Sequence, residues 1–134
     1  MPGIEAGTDA FTQQQLDQIS HAVSATTERS GLRFSVFVGP SDGGDPGGFA
    51  ARLLAALGND APGSVVIHVD PGFRQVEIVT GREAAKRLAD HACGLAAQSM
   101  APLLREGEFV AGVVTGLRVL GDAVFWQSAA TQAR

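Results

Sequence analysis

Residues Ser64–Gly81 read SVVIHVDPGFRQVEIVTG. Two apolar runs, Val65–Val69 and Val76–Val79, flank Asp70-Pro71-Gly72-Phe73. Proline is pre-set for the second position of a β-turn, and glycine accepts positive φ at the third. The segment is therefore expected to be a β-hairpin. A tight turn places Asp70 opposite Phe73, Val69 opposite Arg74 and Ile67 opposite Val76. Strand side chains alternate in direction. Val65, Ile67, Val69, Arg74, Val76 and Ile78 then share one face, which belongs against helices. Val66, His68, Asp70, Phe73, Gln75 and Glu77 share the other, which is mixed.

Upstream, Leu32–Val38 carries Leu32, Phe34, Val36 and Val38 on one side and Phe37 on the other. That pattern fits a central strand covered on both faces. The Gly-rich stretch Gly39–Gly48 is a loop. Asp45-Pro46 reads as N-cap and first-turn proline of a helix, with Phe49, Ala50, Leu53, Leu54 and Leu57 as its buried stripe and Gly58 as its end. Strand, helix, strand makes a right-handed crossover, so the two strands are expected to be parallel. Before them, Thr12 is the N-cap of a helix over Gln13–Arg29. Gln15 completes a capping box and Phe11 staples onto Leu16. Leu16, Ile19 and Val23 form a narrow apolar stripe, and Gly31 is the terminator.

Downstream, Arg82–Arg87 reads as a short turn. Asp90 caps a helix that, with Leu88, carries Ala92, Leu95, Ala96, Met100 and Leu103. Beyond Gly107 a last helix presents Phe109, Val113, Leu117, Leu120 and Val124 on one face. Gly112 and Gly116 lie a turn apart and admit close approach. The expected fold is a three-layer α/β/α sandwich with a small mixed sheet of three or four strands and about four helices. It occupies residues 11–126, with a flexible segment at 1–10 and a frayed tail at 127–134.

Composition narrows the function classes. A chain of 134 residues builds one core. The net charge of −4 and the lack of a basic stripe argue against nucleic acid as a partner. Cys93 is the single cysteine, so no intrachain disulfide forms and no zinc spacing exists. The N-terminus lacks the pattern of a secretory signal. Phe109–Trp126 is apolar but broken by Arg118 and Asp122, whose burial in lipid costs a few kcal/mol each. No membrane insertion and a cytoplasmic location are expected.

A family likeness emerges in the second half. Arg74-x-Val76-x-Ile78-x-x-Gly81, Leu88-x-Asp90 and Pro102-x-x-x-x-Gly107-x-Phe109-x-x-Gly112 follow in order. In this the chain resembles the TPM domain, a family that includes the thylakoid lumen acid phosphatase. It is closest to an actinobacterial group of TPM-like domains, the DUF5130 type. The resemblance spans roughly Phe11–Gly121 and implies a small α/β/α sandwich. It also implies an aspartate near a divalent-cation site, which falls on Asp90, and it marks Arg74. Departures are Glu83 where the family usually has a second glycine, Ala89 where it has threonine, and an approximate Asp9-Ala10-Phe11-Thr12 opening.

Two function classes follow. The first is a non-catalytic interaction or stabilising module with a protein partner, motivated by these departures and by the lack of a nucleophile–base pair. The second is a weak acid phosphatase acting on phosphomonoesters. Its catalytic residues would be Asp90 and Arg74, the guanidinium clamping the transition state and a bound cation acting as Lewis acid. Asp42, Asp45 and Asp70 are expected beyond the carboxyl ends of the parallel strands, the usual ligand end of an open α/β sheet. With Asp90 they are the candidate ligands for Ca²⁺ or Mg²⁺; the first class requires no cofactor. Each residue also has a plainer reading: Asp90 as a helix cap, Arg74 as an edge arginine, and the other aspartates as turn formers. His21, His68 and His91 read as structural or surface histidines, and Cys93 as a small buried hydrophobe.

Overall fold

The structure, a computed structural model, describes residues 3–6, 11–41 and 46–132. Four strands form one sheet in the order β1 (Gly3–Ala6), β2 (Arg33–Val38), β3 (Ser64–Asp70), β4 (Gln75–Thr80). β1 is parallel to β2 and β2 to β3, while β3 and β4 are antiparallel. Four α-helices cover it: α1 (Gln13–Ser30), α2 (Pro46–Ala55), α3 (Asp90–Arg105) and α4 (Phe109–Gln132). The result is a three-layer α/β/α sandwich with a mixed sheet.

β1 lies within the stretch read from sequence as a flexible segment. It pairs with β2 through Gly3–Ser35 to Ala6–Val38. In the sequence, Gly3-Ile4-Glu5-Ala6 is too short, and too poor in apolar residues, to show a strand period. At the other end, α4 continues to Gln132, past the Trp126 boundary.

Helix α1 starts as its sequence dictates. The Gln15 N–H donates to Thr12 Oγ1 at 3.1 Å and the Thr12 N–H to Gln15 Oε1 at 2.9 Å. Gly31 ends it at φ 77°, a left-handed cap that costs glycine little. The Phe11 ring meets Phe109 edge-on, 6.2 Å between centroids. That contact sets the starts of α1 and α4 side by side. Further along, Arg29 reaches Asp122 at 3.5 Å, so the two helices run parallel.

One face of the sheet offers Phe34, Val36, Val38, Val65, Ile67 and Val69, all buried, with Val76 and Ile78 at its margin. Ile19 and Val23 of α1, Ala96, Met100 and Leu104 of α3, and Val113, Leu117, Leu120 and Val124 of α4 close over it in a single cluster. α4 packs against both α1 and α3. The close approach foreseen at Gly112 and Gly116 is real. A Cβ on Gly112 would lie 2.9 Å from Leu104 Cδ2, and one on Gly116 would overlap the Met100 side chain. By length and composition α4 is apolar enough, over Phe109–Gln127, to cross a membrane. Here Val113, Leu117, Leu120 and Val124 are buried in the shared core, while Phe125 and Trp126 near its end are exposed.

Among the described residues α2 is the one α-helix over the second face, lying over β3 and β4. Among its expected stripe only Ala50 is fully buried; Phe49, Leu53, Leu54 and Leu57 are half-buried. A single helix leaves the margins of its apolar face uncovered. Phe49 packs on Phe37 and on His68, with centroids 5.5 and 4.9 Å apart. His68 is buried, and its Nε2 stands 2.7 Å from the Gly39 carbonyl. A carbonyl only accepts, so Nε2 carries the proton.

The hairpin differs from the sequence reading in register. Val69 pairs with Val76, Ile67 with Ile78 and Asp70 with Gln75, rather than Val69 with Arg74. The buried Asp70 carboxylate causes the difference. Its Oδ1 accepts from the Gly72 N–H at 3.0 Å and the Phe73 N–H at 3.3 Å. That local turn spreads the corner over Pro71–Arg74, and Arg74 closes it at φ 54°. The slip is by two residues, so every paired strand side chain keeps its expected face.

Candidate functional site

The carboxyl ends of β2 and β3 gather Gly39, His68, Asp70 and the hairpin corner. Asp70 is the one metal-ligand candidate of this end within the described residues; Asp42 and Asp45 lie outside them. Asp70 spends Oδ1 on two backbone N–H groups, as a turn aspartate does. Among the described residues no group of three or more His, Cys, Asp or Glu side chains is arranged to hold a metal ion.

Arg74 is not on the apolar strand face. It is exposed in the corner, and its Nη1 donates to the Arg105 carbonyl. The guanidinium thus serves the last turn of α3, where carbonyls lack helical partners. Asp90 stands at the other end of that helix. It is the first helical residue rather than the cap; Ala89 occupies the cap position and makes no side-chain hydrogen bond there. A carboxylate in the first turn still complements the helix dipole. With fifteen steps from Asp90 to Arg105, the axial rise separates the two ends by about 22 Å. Arg74 and Asp90 therefore do not converge, and Asp90 is likewise remote from Asp70.

Around Asp90 the assembly is structural. Gln127 Nε2 donates to the Lys86 carbonyl at 2.9 Å, and Arg87 Nη2 donates to Ser30 O at 2.7 Å, tying the end of α1 to the segment before α3. The exposed Lys86 ammonium meets Glu83 at 3.2 Å, a pair of small energetic value. One turn into α3, Cys93 is buried. Burial pushes its thiol above the ordinary value, and the Asp90 carboxylate adds to the shift. A thiol held protonated is a poor nucleophile. His21 and His91 are exposed.

What sequence reasoning missed is a cleft at the sheet margin. β4 is the outermost strand on its side among the described residues. Between it and α3 runs a cavity of about 420 Å³ that touches Arg74, Val76, Glu77, Ala97, Ala101 and Leu104. The small residues at 97 and 101 were visible in the sequence, but nothing there said which strand they would face.

A family profile described as "Domain of unknown function (DUF5130)" matches residues 1–121. The chain belongs to this family. Solved structures share the architecture of this DUF5130 domain. The NMR structure of the N-terminal domain of the cg2496 protein from Corynebacterium glutamicum is 16% identical, with a TM-score of 0.76 over 91% of this chain and 79% of that one. The N-terminal domain of a protein from P. gingivalis is 17% identical, with a TM-score of 0.77 over 90% and 80%. The BA42 protein from the psychrophilic bacterium Bizionia argentinensis is 16% identical, with a TM-score of 0.79 over 90% and 86%. At these identities the likeness is one of fold.

Proposed function

We propose that this DUF5130 domain is a TPM-like, non-catalytic module of the cytoplasm that acts by binding a protein partner and needs no resident cofactor. The observation that carries this reading is the separation of Arg74 from Asp90. A phosphate monoester is a few ångströms across. A cation ligand and a guanidinium clamp at opposite ends of α3, about 22 Å apart, cannot share one phosphoryl group. Each has a local task instead, Arg74 at the end of α3 and Asp90 at its start. The order and spacing of Arg74, Gly81, Asp90, Pro102, Gly107 and Gly112 support the TPM-like part of the reading.

The test is direct. Hydrolysis of p-nitrophenyl phosphate is followed at acid and neutral pH with millimolar Ca²⁺ or Mg²⁺, beside thermal melts in the same buffers. The expected result is no phosphate release above buffer and no cation-dependent rise in Tm. A saturable Tm rise that vanishes in Asp90→Ala, with turnover lost in Arg74→Gln, would overturn the reading in favour of a phosphomonoesterase, since a site-bound ion stabilises by mass action.

A further inference from the structure

We propose that the open margin of β4, with the cleft beside α3, captures the C-terminal segment of a partner protein as an added antiparallel strand. This deepens the interaction-module reading and rests on it.

The ladder geometry says which backbone groups are available. The Gly81 N–H donates to Ser64 O at 2.8 Å, which continues the β3–β4 register and makes Ser64 and Gly81 a hydrogen-bonded pair. Such pairs alternate along an antiparallel ladder. Val79, Glu77 and Gln75 therefore turn their N–H and C=O groups towards β3. Val76, Ile78 and Thr80 turn theirs outward, to the side where no further described strand pairs. Nothing within β4 blunts that margin: it has no proline or lysine, and Glu77 is its single charge. Exposed edges are usually protected by such devices.

The cleft lies beside the first half of this margin, at Gln75, Val76 and Glu77, rather than over one face. Val76 and Glu77 point to opposite sides of the sheet, yet both line it. An added strand would pair with Val76, Ile78 and Thr80. Its side chains in register with Val76 would lie on the α3 side, above Ala97, Ala101 and Leu104. Two alanines there leave room for a branched aliphatic side chain. This is recognition by strand addition, in which main-chain bonds supply affinity and alternate side-chain pockets supply selectivity.

The end of the cleft selects a chain terminus. Arg74 reaches across from the hairpin corner to the Arg105 carbonyl and closes the path there. An antiparallel strand arrives at that point with its C-terminal end. A guanidinium has five donors; one serves Arg105, and the others are free to meet a terminal carboxylate in a charge-assisted bond.

The probe is a fluorescein-labelled Gly-Thr-Val-Thr-Val peptide with a free C-terminus, titrated by anisotropy against the intact chain. Saturable binding is expected. N-methylation of the amides facing β4 is expected to weaken it about tenfold, and methylation of the alternate amides to leave it within about threefold. Amidating the terminus, or Arg74→Gln, is expected to weaken it about tenfold. No saturation at millimolar protein, equal loss from both methylation phases, or full affinity of the amidated peptide would each overturn the proposal. So would a concentration-dependent dimer dissolved by Ala101→Trp, which would give the margin to a second copy. Phosphate release in the assay above would remove the module reading whatever the peptide does. Failure of the peptide without phosphate release would remove only the capture of a terminus.

Discussion

Gly81→Ala is the substitution from which most can be learned. Gly81 joins β4 to the segment leading into α3 and packs against Ala61 and Pro62. A Cβ built there would stand 2.6 Å from the Pro62 carbonyl oxygen and 2.8 Å from its carbon, and would overlap the Ala61 oxygen. These are backbone atoms, and they cannot swing aside as a side-chain end can. Pro62 O also accepts from the Glu83 N–H at 2.8 Å, and the Gly81 N–H is bonded to Ser64 O. Relief of the overlap therefore strains at least one of these two bonds. Overpacking in a rigid site costs about 1–3 kcal/mol, and a weakened buried backbone bond adds about 1 kcal/mol. The expected loss is about 3 kcal/mol. At about 2.1 cal/mol/K per residue, a 134-residue chain loses about 3.5 °C of Tm per kcal/mol, so the drop is about 10 °C. Gly94→Ala is the control, because a Cβ there meets nothing within 4 Å. In a helix interior it should gain about 0.5–1 kcal/mol. Circular-dichroism melts and urea titrations read both. A Gly81→Ala protein melting within 2–3 °C of the parent would refute the reasoning, because the 3₁₀ helix Gly58–Gly63 would then not be fixed against β4.

Three further outcomes follow from local geometry. Thr12→Ala removes half of the capping box of α1 and should cost about 1 kcal/mol in urea titrations, with Thr12→Ser near neutral. Arg74→Ala keeps the left-handed corner but deletes the donor to Arg105, with a loss of about 1 kcal/mol; Arg74→Gly should lie close to the parent, since relief of the positive φ offsets that loss. Cys93 should react with a disulfide reagent far more slowly than a free thiol at neutral pH. Its raised thiol pKa contributes stability that is fully present below the unfolded value of about 8.5 and is lost as pH rises through the folded value. Cys93→Ala should flatten that alkaline slope, and an unchanged slope would refute the assignment.

The sequence and the structure agree where a local signal meets a single physical outcome. Thr12, Gln15 and Gly31 bracket α1, and the alternation in Val65–Val69 and Val76–Val79 fixes which residues face the helices. Gly112 and Gly116 announce the α3–α4 contact. The hairpin register was hidden because Asp70-Pro71-Gly72-Phe73 satisfies a two-residue turn by residue type, while the choice between turns rests on where the Asp70 carboxylate finds its donors. β1 was hidden because its pairing comes from β2, not from its own four residues. The site was least legible. Arg74 and Asp90 are close in the order of motifs, but α3 lies between them as a rigid spacer. The cleft at β4 depends on which residues of a helix happen to face a strand margin, and periodicity does not report that.

The corner at Pro71–Arg74 also bears on how this fold tolerates changes in length. Side-chain direction in a strand repeats every second residue, and the corner is held by one carboxylate rather than by the core. Insertions or deletions there in even steps leave valine and isoleucine of β4 on the inside. A single-residue change would turn Val76 and Ile78 towards α2 and send Glu77 among the aliphatic side chains. Variation in this loop is therefore expected to come in pairs.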